Sequence, residues 1–181
     1  MIDKLRSIWK HWVWGNDFRS VHLHVGDADK PLISGILLER KKDELSIKAP
    51  LKATNELEEL SSFGADAIPT VLVLTGKGII TKRIPRTVGG EDEQIKQQLA
   101  EYGNTAIVHS VSLQQHWLYI SILRSEVLDA WLTRLSTLNV LPVHVELGIP
   151  AIWEAVRFSS GSGTARTGEY QVEFDENGMI S

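Results

Sequence analysis

From Arg19 onward the chain alternates apolar and polar residues with a period of two, and this alternation is the feature that most limits its fold. The segments RSVHLHV, PLISGILLE and ELSIKA follow one another, separated by the short polar stretches GDADK and RKKD. Side chains of a strand point alternately to the two faces of a sheet, so each segment predicts a strand. Three strands joined by short turns predict an antiparallel meander.

The stretch VLVLTGKGIITKRIP, from Val71 to Pro85, places two glycines between β-branched runs. A phosphate-binding P-loop needs the spacing G-x-x-x-x-G-K-[ST] between a strand and a helix, because backbone N–H groups and the helix N-terminus hold the anion together. Here the glycines are too close, and the residues that follow alternate like a strand. We therefore predict a hairpin in which Gly76, Lys77 and Gly78 form the turn.

Further elements of both kinds follow. Helical spacing of apolar residues occurs in TNELEELSSFG, EDEQIKQQLAEYG, SEVLDAWLTRLSTLN and IPAIWEAVRF, whereas TAIVHSVSLQ, HWLYISIL and VLPVHVELG are typical of strands. Ser125 is the predicted N-cap of the third of these helices, and Pro150 begins the fourth. SSGSGTARTG predicts a flexible loop, and EYQVEFDENGMIS predicts a strand that turns at Asn177-Gly178.

The first fifteen residues, MIDKLRSIWKHWVWG, predict a short amphipathic helix. Two interpretations of this helix remain open. Docking on its own domain is favoured, because each tryptophan can bury a large area there. The alternative is an anchor for a partner or a membrane surface, since Trp9, Trp12 and Trp14 next to basic residues are typical of such helices. These three tryptophans are the candidate partner-binding residues.

Composition narrows the function. The net charge of −4 and the dispersed basic residues argue against nucleic acid, and the mixed run from Glu39 to Glu44 is typical of a solvated turn. The chain has no cysteine, so disulfides and thiolate chemistry are absent. Without a signal-peptide pattern or an apolar run of about 20 residues, we expect a soluble, cytoplasmic chain.

Candidate chemistry is sparse. His22 and His24 share one face of a strand and could bind a metal together with Asp27 or Asp29, but two histidines without a spaced third ligand are more typical of half-buried strand residues. No combination of residues supplies an acid, a base and an oxyanion site together. We therefore predict no metal site and no catalytic residue.

Two longer segments resemble a known family. IPTVLVLTGKGIITKRIPRTVGGEDEQIKQQLAEYG and LYISILRSEVLDAWLTRLSTLNVLPVHVELGIPAIWEAV are similar, in the order of their elements, to the type II secretion protein L and type IV pilus assembly protein M group. The resemblance covers about Val21 to Val156. It implies an α/β chain with the actin-like ATPase (ribonuclease H-like) fold, in which mixed sheets carry flanking helices.

The resemblance implies this domain plan: an N-terminal amphipathic helix at 1–18, an actin-like first lobe at 19–157 with room for two α/β subdomains, and a Gly/Ser loop with the start of a β-hairpin at 158–181. Members that bind ATP hold Mg²⁺ and phosphate with the loop between the first two strands. Gly26, Asp27 and Asp29 match that loop, but Lys30-Pro31 replaces its small hydroxyl residues.

The resemblance also implies a role. We expect a non-catalytic, cytoplasmic scaffold at the inner face of the inner membrane, without a cofactor, that docks the assembly ATPase and inner-membrane platform proteins. Its membrane association would be indirect or depend on residues outside this chain. The alternatives are an actin-like ATPase that binds ATP and Mg²⁺ through Gly26, Asp27 and Asp29, and an α/β binding module with another role.

Overall fold

The computed structural model describes residues 17–26, 30–41, 44–64, 68–114, 116–148, 163–167 and 170–174. The chain divides into two compact units, Met1–Lys77 with Asp129–Val145, and Gly78–Leu128 with Glu146–Ser181. In chain order the elements are β1 (Asp17–Val25), β2 (Pro31–Lys41), β3 (Glu44–Thr54), α1 (Glu59–Ser62), β4 (Thr70–Gly76), β5 (Ile80–Pro85), α2 (Glu91–Ala100), β6 (Ile107–Leu113), β7 (Trp117–Arg124), α3 (Ser125–Ser136), β8 (Pro142–Leu147), β9 (Gly163–Thr167) and β10 (Tyr170–Phe174). The helices predicted at residues 1–15 and 149–158 lie outside the described residues.

Five strands form the larger sheet, in the order β3-β2-β1-β4-β8. β1 pairs antiparallel with β2, and β2 pairs antiparallel with β3, so the predicted meander is confirmed. On its other side β1 pairs with β4 in parallel, with Val25 opposite Gly76 at the carboxyl ends of both strands. Parallel neighbours require a crossover connection, and the segment that contains α1 supplies it.

The core of the larger sheet follows from the alternation along its strands. Leu37, Phe63 and Ile68 form one buried cluster on it. Gly35 makes the close packing of Phe63 possible, because a Cβ at this position would lie 3.3 Å from the Phe63 ring and 2.8 Å from the carbonyl oxygen of Ser20. The fully buried apolar side chains of β1 and β4 are Val21, Leu23, Leu72 and Leu74.

The helix predicted over residues 54–64 is much shorter than expected. It forms only one turn, Glu59–Ser62, although Leu57 and Leu60 are both buried. Thr54 ends β3, and its hydroxyl oxygen accepts a hydrogen bond from the Glu56 N–H at 3.1 Å. Such side-chain to backbone hydrogen bonds stabilise a turn in competition with a helix.

A buried arginine joins three parts of this unit. Arg19 is only 2% exposed. Its Nε donates to Thr70 Oγ1 at 2.7 Å, and its Nη1 donates to the carbonyl oxygens of Leu60 at 3.2 Å and Phe63 at 2.9 Å. Because buried carbonyl groups are costly to leave unpaired, this guanidinium stabilises the junction of β1, β4 and the end of α1.

Three strands form the second sheet, in the order β5-β7-β6, and both pairs are antiparallel. Every second residue of the central strand, Leu118, Ile120 and Ile122, is buried on the face that α2 covers. The partly buried apolar residues that complete this layer are Ile84, Ile95, Leu99, Tyr102 and Ile107. The predicted surface helix at 91–103 is therefore confirmed as a helix that packs on a sheet.

The predicted hairpin of Val71 to Pro85 is wrong in its pairing. Gly76 and Gly78 do turn the chain with φ of 96° and 89°. However, β4 lies between β1 and β8 in the larger sheet, whereas β5 pairs with β7 in the smaller one. Two glycines specify a local change of direction, but the partner of each strand depends on distant segments.

α3 and the two strands near the carboxyl end differ in detail from the predictions. Ser125 is the first residue of α3 rather than its N-cap, and the helix buries Trp131 and Leu135. Residues 163–167, predicted as loop, form β9, which pairs antiparallel with β10. Backbone ladders need no apolar side chain, so small polar residues can pair when a partner strand is adjacent. Among the described helices, none is both long and apolar enough to cross a membrane.

Candidate functional site

The parallel strands β1 and β4 end side by side, and this edge of the larger sheet is the candidate site. Ligands of open α/β sheets bind beyond the carboxyl ends of parallel strands. Gly26 follows β1 here, and Gly76 ends β4 opposite Val25. Asp27 and Asp29, predicted to accompany Gly26, lie outside the described residues, as do Trp9, Trp12 and Trp14.

Two histidines of β1 converge on one hydroxyl group of β4. His22 Nε2 lies 2.8 Å from Thr75 Oγ1, and His24 Nδ1 lies 3.1 Å from the same oxygen. The threonine side chain is buried. Because a hydroxyl group has a single proton, it can donate to one imidazole only, so the other imidazole must donate to it. We name this group, His22, Thr75 and His24, the His-Thr-His cluster.

Burial determines the charge of His22 within this cluster. Loss of water contacts, and secondly the nearby His24, lower the pKa of His22 from its usual 6.5 to about 4. The imidazole of His22 is therefore neutral at pH 7, because burial disfavours the charged form. A neutral imidazole can donate or accept a hydrogen bond, but it does not attract a phosphate group by charge.

The two nitrogens that meet at Thr75 resemble the beginning of a metal site. In the part of the chain that the structure describes, no group of three potential metal-binding side chains occurs. The hydroxyl oxygen of Thr75 occupies the point between the two imidazoles, where both nitrogens make hydrogen bonds. The described residues thus arrange the histidines as hydrogen-bonding partners of Thr75.

The turn after β4 packs closely onto the end of β1. Gly76 has φ of 96°, and a Cβ at this position would lie 2.3 Å from the Val25 carbonyl oxygen and 2.7 Å from Cε1 of His24. The Lys77 N–H donates to the Val25 carbonyl oxygen at 2.8 Å. This close packing requires glycine at position 76. The Lys77 N–H, which would otherwise point beyond the strand end, is bonded to the Val25 carbonyl oxygen.

The described residues at this edge, which exclude 27–29, offer hydrogen-bonding groups. Phosphate sites in proteins combine several unengaged backbone N–H groups with a helix N-terminus or a positive charge. Here the Lys77 N–H is bonded to Val25, and Pro31, which begins β2, has no N–H. The described residues of the edge therefore form a closely packed junction of hydrogen-bonded groups.

Sequence reasoning identified the histidines but missed Thr75. The spacing of His22 and His24 places both on one face, and this part of the prediction is confirmed by their shared contact. Thr75 lies 51 residues from His24 in sequence. No local pattern indicates such a contact, since it depends on the parallel pairing of β1 with β4.

Comparison with solved structures identifies the fold. Over 88% of its length the chain is similar to the cytoplasmic domain of EpsL, an inner membrane component of the type II secretion system of Vibrio cholerae, with a TM-score of 0.54, 14% identity and 68% of that chain covered. The chain has an actin-like fold. Its mixed five-stranded sheet, three-stranded sheet and flanking helices confirm the predicted fold class.

Two further structures show weaker likenesses. One belongs to the PilM–PilN type IV pilus biogenesis complex, with a TM-score of 0.47, 14% identity, and coverage of 80% of this chain and 53% of that chain. The other, from Bacteroides thetaiotaomicron, has an actin-like ATPase fold and unknown function, with a TM-score of 0.45, 9% identity, and coverage of 90% and 67%. No protein-family model and no curated protein sequence matches the chain.

Proposed function

We propose that this chain is a non-catalytic scaffold of a bacterial secretion or pilus assembly platform. It docks the assembly ATPase and inner-membrane platform proteins at the cytoplasmic face of the inner membrane. The observation that carries the proposal is the likeness of its actin-like fold to the cytoplasmic domain of EpsL, an inner membrane component of a type II secretion system.

The packing beyond β1 and β4 supports a role other than nucleotide hydrolysis. In ATP-binding members of this fold, phosphate is held at this edge. In this chain Gly76 lies against His24 and the Lys77 N–H is bonded to Val25. The Lys77 N–H is therefore already engaged, and the neutral His22 would not attract phosphate by charge.

An ATP-binding domain is the second candidate. It is favoured by the position of Gly26, which follows β1 at the edge where β4 ends in Gly76. In this alternative Asp27 or Asp29 binds Mg²⁺, and Gly26 approaches the phosphates. The two candidates differ in whether Mg-ATP stabilises the chain.

Two measurements on the purified chain test the proposal. In the first, the chain is titrated calorimetrically with the cognate assembly ATPase and with soluble parts of the platform proteins. The scaffold role requires saturable binding to at least one of them. Replacing Trp9, Trp12 and Trp14 together by alanine tests whether these tryptophans contribute, and retained binding would exclude that contribution. Failure of every partner to bind at stoichiometric excess contradicts the scaffold role.

In the second measurement, melting temperatures are compared with and without Mg-ATP. A ligand at 100 times its Kd adds about 2.7 kcal/mol to stability. For a domain of this size that corresponds to a rise of roughly 5–10 °C. The scaffold role predicts no rise, whereas a rise that is lost in Asp27→Asn or Asp29→Asn would favour the ATP-binding alternative.

A further inference from the structure

The outer strands of the five-stranded and three-stranded sheets differ in how they are protected against pairing with another strand. A strand at a sheet edge presents unpaired N–H and C=O groups to any other strand, and proteins usually protect such edges with charges, prolines or bulges. β3 and β8 are the outer strands of the five-stranded sheet, and β5 and β6 are the outer strands of the three-stranded sheet.

Three of these strands carry protection. The pairing of β3 with β2 is interrupted by two shifts of register. Charged and proline residues along the three strands include Lys48, Pro50 and Lys52 on β3, Lys82, Arg83 and Pro85 on β5, and Pro142 and Glu146 on β8. Each of these strands is thereby a poor partner for another chain.

β6 has no such protection. Its seven residues, IVHSVSL, include no charged residue and no proline. Its register with β7 runs from Ile107 to Leu113 without a bulge. Val111 and Leu113 are 36% and 47% exposed, so the strand also presents apolar side chains to water. An uncharged, regular and partly apolar edge is a surface on which another strand can pair.

The hydrogen bonds of the hairpin show which backbone groups face outward. Gln114 N–H donates to the Trp117 carbonyl oxygen at 2.9 Å, which closes the ladder between β6 and β7. In an antiparallel ladder, one residue directs both its N–H and its C=O toward the paired strand, and the next residue directs both groups to the opposite side. Ser110 therefore faces β7 with its backbone groups, whereas His109, Val111 and Leu113 direct theirs away from it. In the sheet as described, no further strand pairs with β6 on that side.

We propose that β6 pairs with β6 of a second copy of this chain, antiparallel about a twofold axis at Ser110. The two three-stranded sheets then form one continuous antiparallel sheet. This register aligns all seven residues, with Leu113 opposite Ile107 and Val111 opposite His109. The inference does not depend on the proposed scaffold role.

The absence of charged residues on β6 favours a second copy of the chain as its partner over an unrelated strand. In twofold pairing β6 lies beside β6 of the second copy, so any charged residue would be present on both strands. Like charges opposite each other are destabilising, and β6 has none. The strand equally lacks a charge that would select an acidic or basic partner. Its apolar residues at both ends, Ile107 and Leu113, complement each other when the strand is reversed.

Sedimentation of the 181-residue chain over a wide range of concentration tests the pairing. We expect a reversible change from 20.2 kDa toward twice that mass. Val111→Lys and Leu113→Lys, each at an exposed position of β6, should shift the change to at least tenfold higher concentration. Ile80→Lys is the matched control, because Ile80 is 53% exposed on the protected edge of the same sheet.

The outcomes are distinct. A single 20.2 kDa species at every concentration overturns the proposal. A dimer that withstands both β6 variants, or one that Ile80→Lys weakens equally, also overturns it. Circular dichroism of each variant establishes that its fold is retained, and the use of two β6 positions keeps the test valid if one variant fails to fold.

A cysteine tests the register directly, because the natural chain has none. In the proposed pairing the two Ser110 residues face each other as a non-hydrogen-bonded pair, with Cα atoms about 4.5 Å apart. Disulfides span this distance. Ser110→Cys should therefore form a covalent dimer under mild oxidation, whereas Ile80→Cys should not. Equal cross-linking of the two variants would contradict the register.

Discussion

Replacing His22 by glutamine should remove a loss of stability that the wild-type chain shows in acid. Burial and His24 lower the pKa of His22 from 6.5 to about 4 in the folded protein. In the unfolded chain the imidazole regains its usual pKa, so the unfolded state binds more protons between these two values. The free energy of unfolding must therefore fall as the pH falls from about 6.5 to about 4, and this source contributes no slope outside that interval.

The magnitude follows from the difference between the two pKa values. About 2.5 pH units correspond to about 3.4 kcal/mol, which is an upper bound. His22 is only half-buried, and water screens part of the effect, so we expect about 2 kcal/mol. Glutamine retains a polar group near Thr75 but does not titrate. The variant should lose stability at neutral pH, through poorer packing, and should lack this part of the acid-dependent slope.

Urea unfolding at a series of pH values above, within and below the interval measures the difference. The difference in unfolding free energy between wild type and His22→Gln should narrow by about 2 kcal/mol as the pH falls through the interval. His116→Gln is the control, because His116 is exposed. Parallel profiles for the wild type and His22→Gln would refute the reasoning, since they would show that His22 binds protons equally in both states.

Two further predictions concern buried contacts of the first unit. Arg19→Met should lower the free energy of unfolding by about 3–5 kcal/mol, because it leaves buried carbonyl groups unpaired, whereas Lys52→Met at an exposed site should have little effect. Chemical denaturation measures both, and equal losses would contradict the structural role of the guanidinium. Gly76→Ala should destabilise by about 2 kcal/mol more than Gly89→Ala in thermal unfolding. Both glycines have positive φ, but only at Gly76 would the new Cβ overlap, with the Val25 carbonyl oxygen at 2.3 Å; similar losses would exclude that overlap.

Local patterns predicted the first three strands well. Alternation determines which faces of β1, β2 and β3 are buried, and the short connections leave antiparallel neighbours as the simplest arrangement. The same reasoning failed at Gly76 and Gly78. Their positive φ was predictable, but β5 pairs with β7 rather than with β4. A turn constrains a few residues, whereas strand pairing is a choice among all available edges.

The carboxyl-terminal strands show the opposite error. The Ser- and Gly-rich composition of 159–168 predicted a loop, yet Gly163–Thr167 pairs with Tyr170–Phe174. Composition reports how much apolar surface a segment can bury, and it does not report whether a partner strand satisfies its backbone. Hydrogen bonding to an adjacent strand therefore overrides a weak intrinsic preference.

By itself the sequence determined the positions of most strands, the two helices α2 and α3, and the shared face of His22 and His24, because each depends on the spacing of neighbouring residues. Only the tertiary structure decided that Thr75 joins the two histidines and that Arg19 is buried. Among the strands that the structure describes, it also left β6 as an outer strand with no charged residue and no proline. These features depend on which distant strands pair, and pairing minimises the free energy of the whole chain rather than of any one segment.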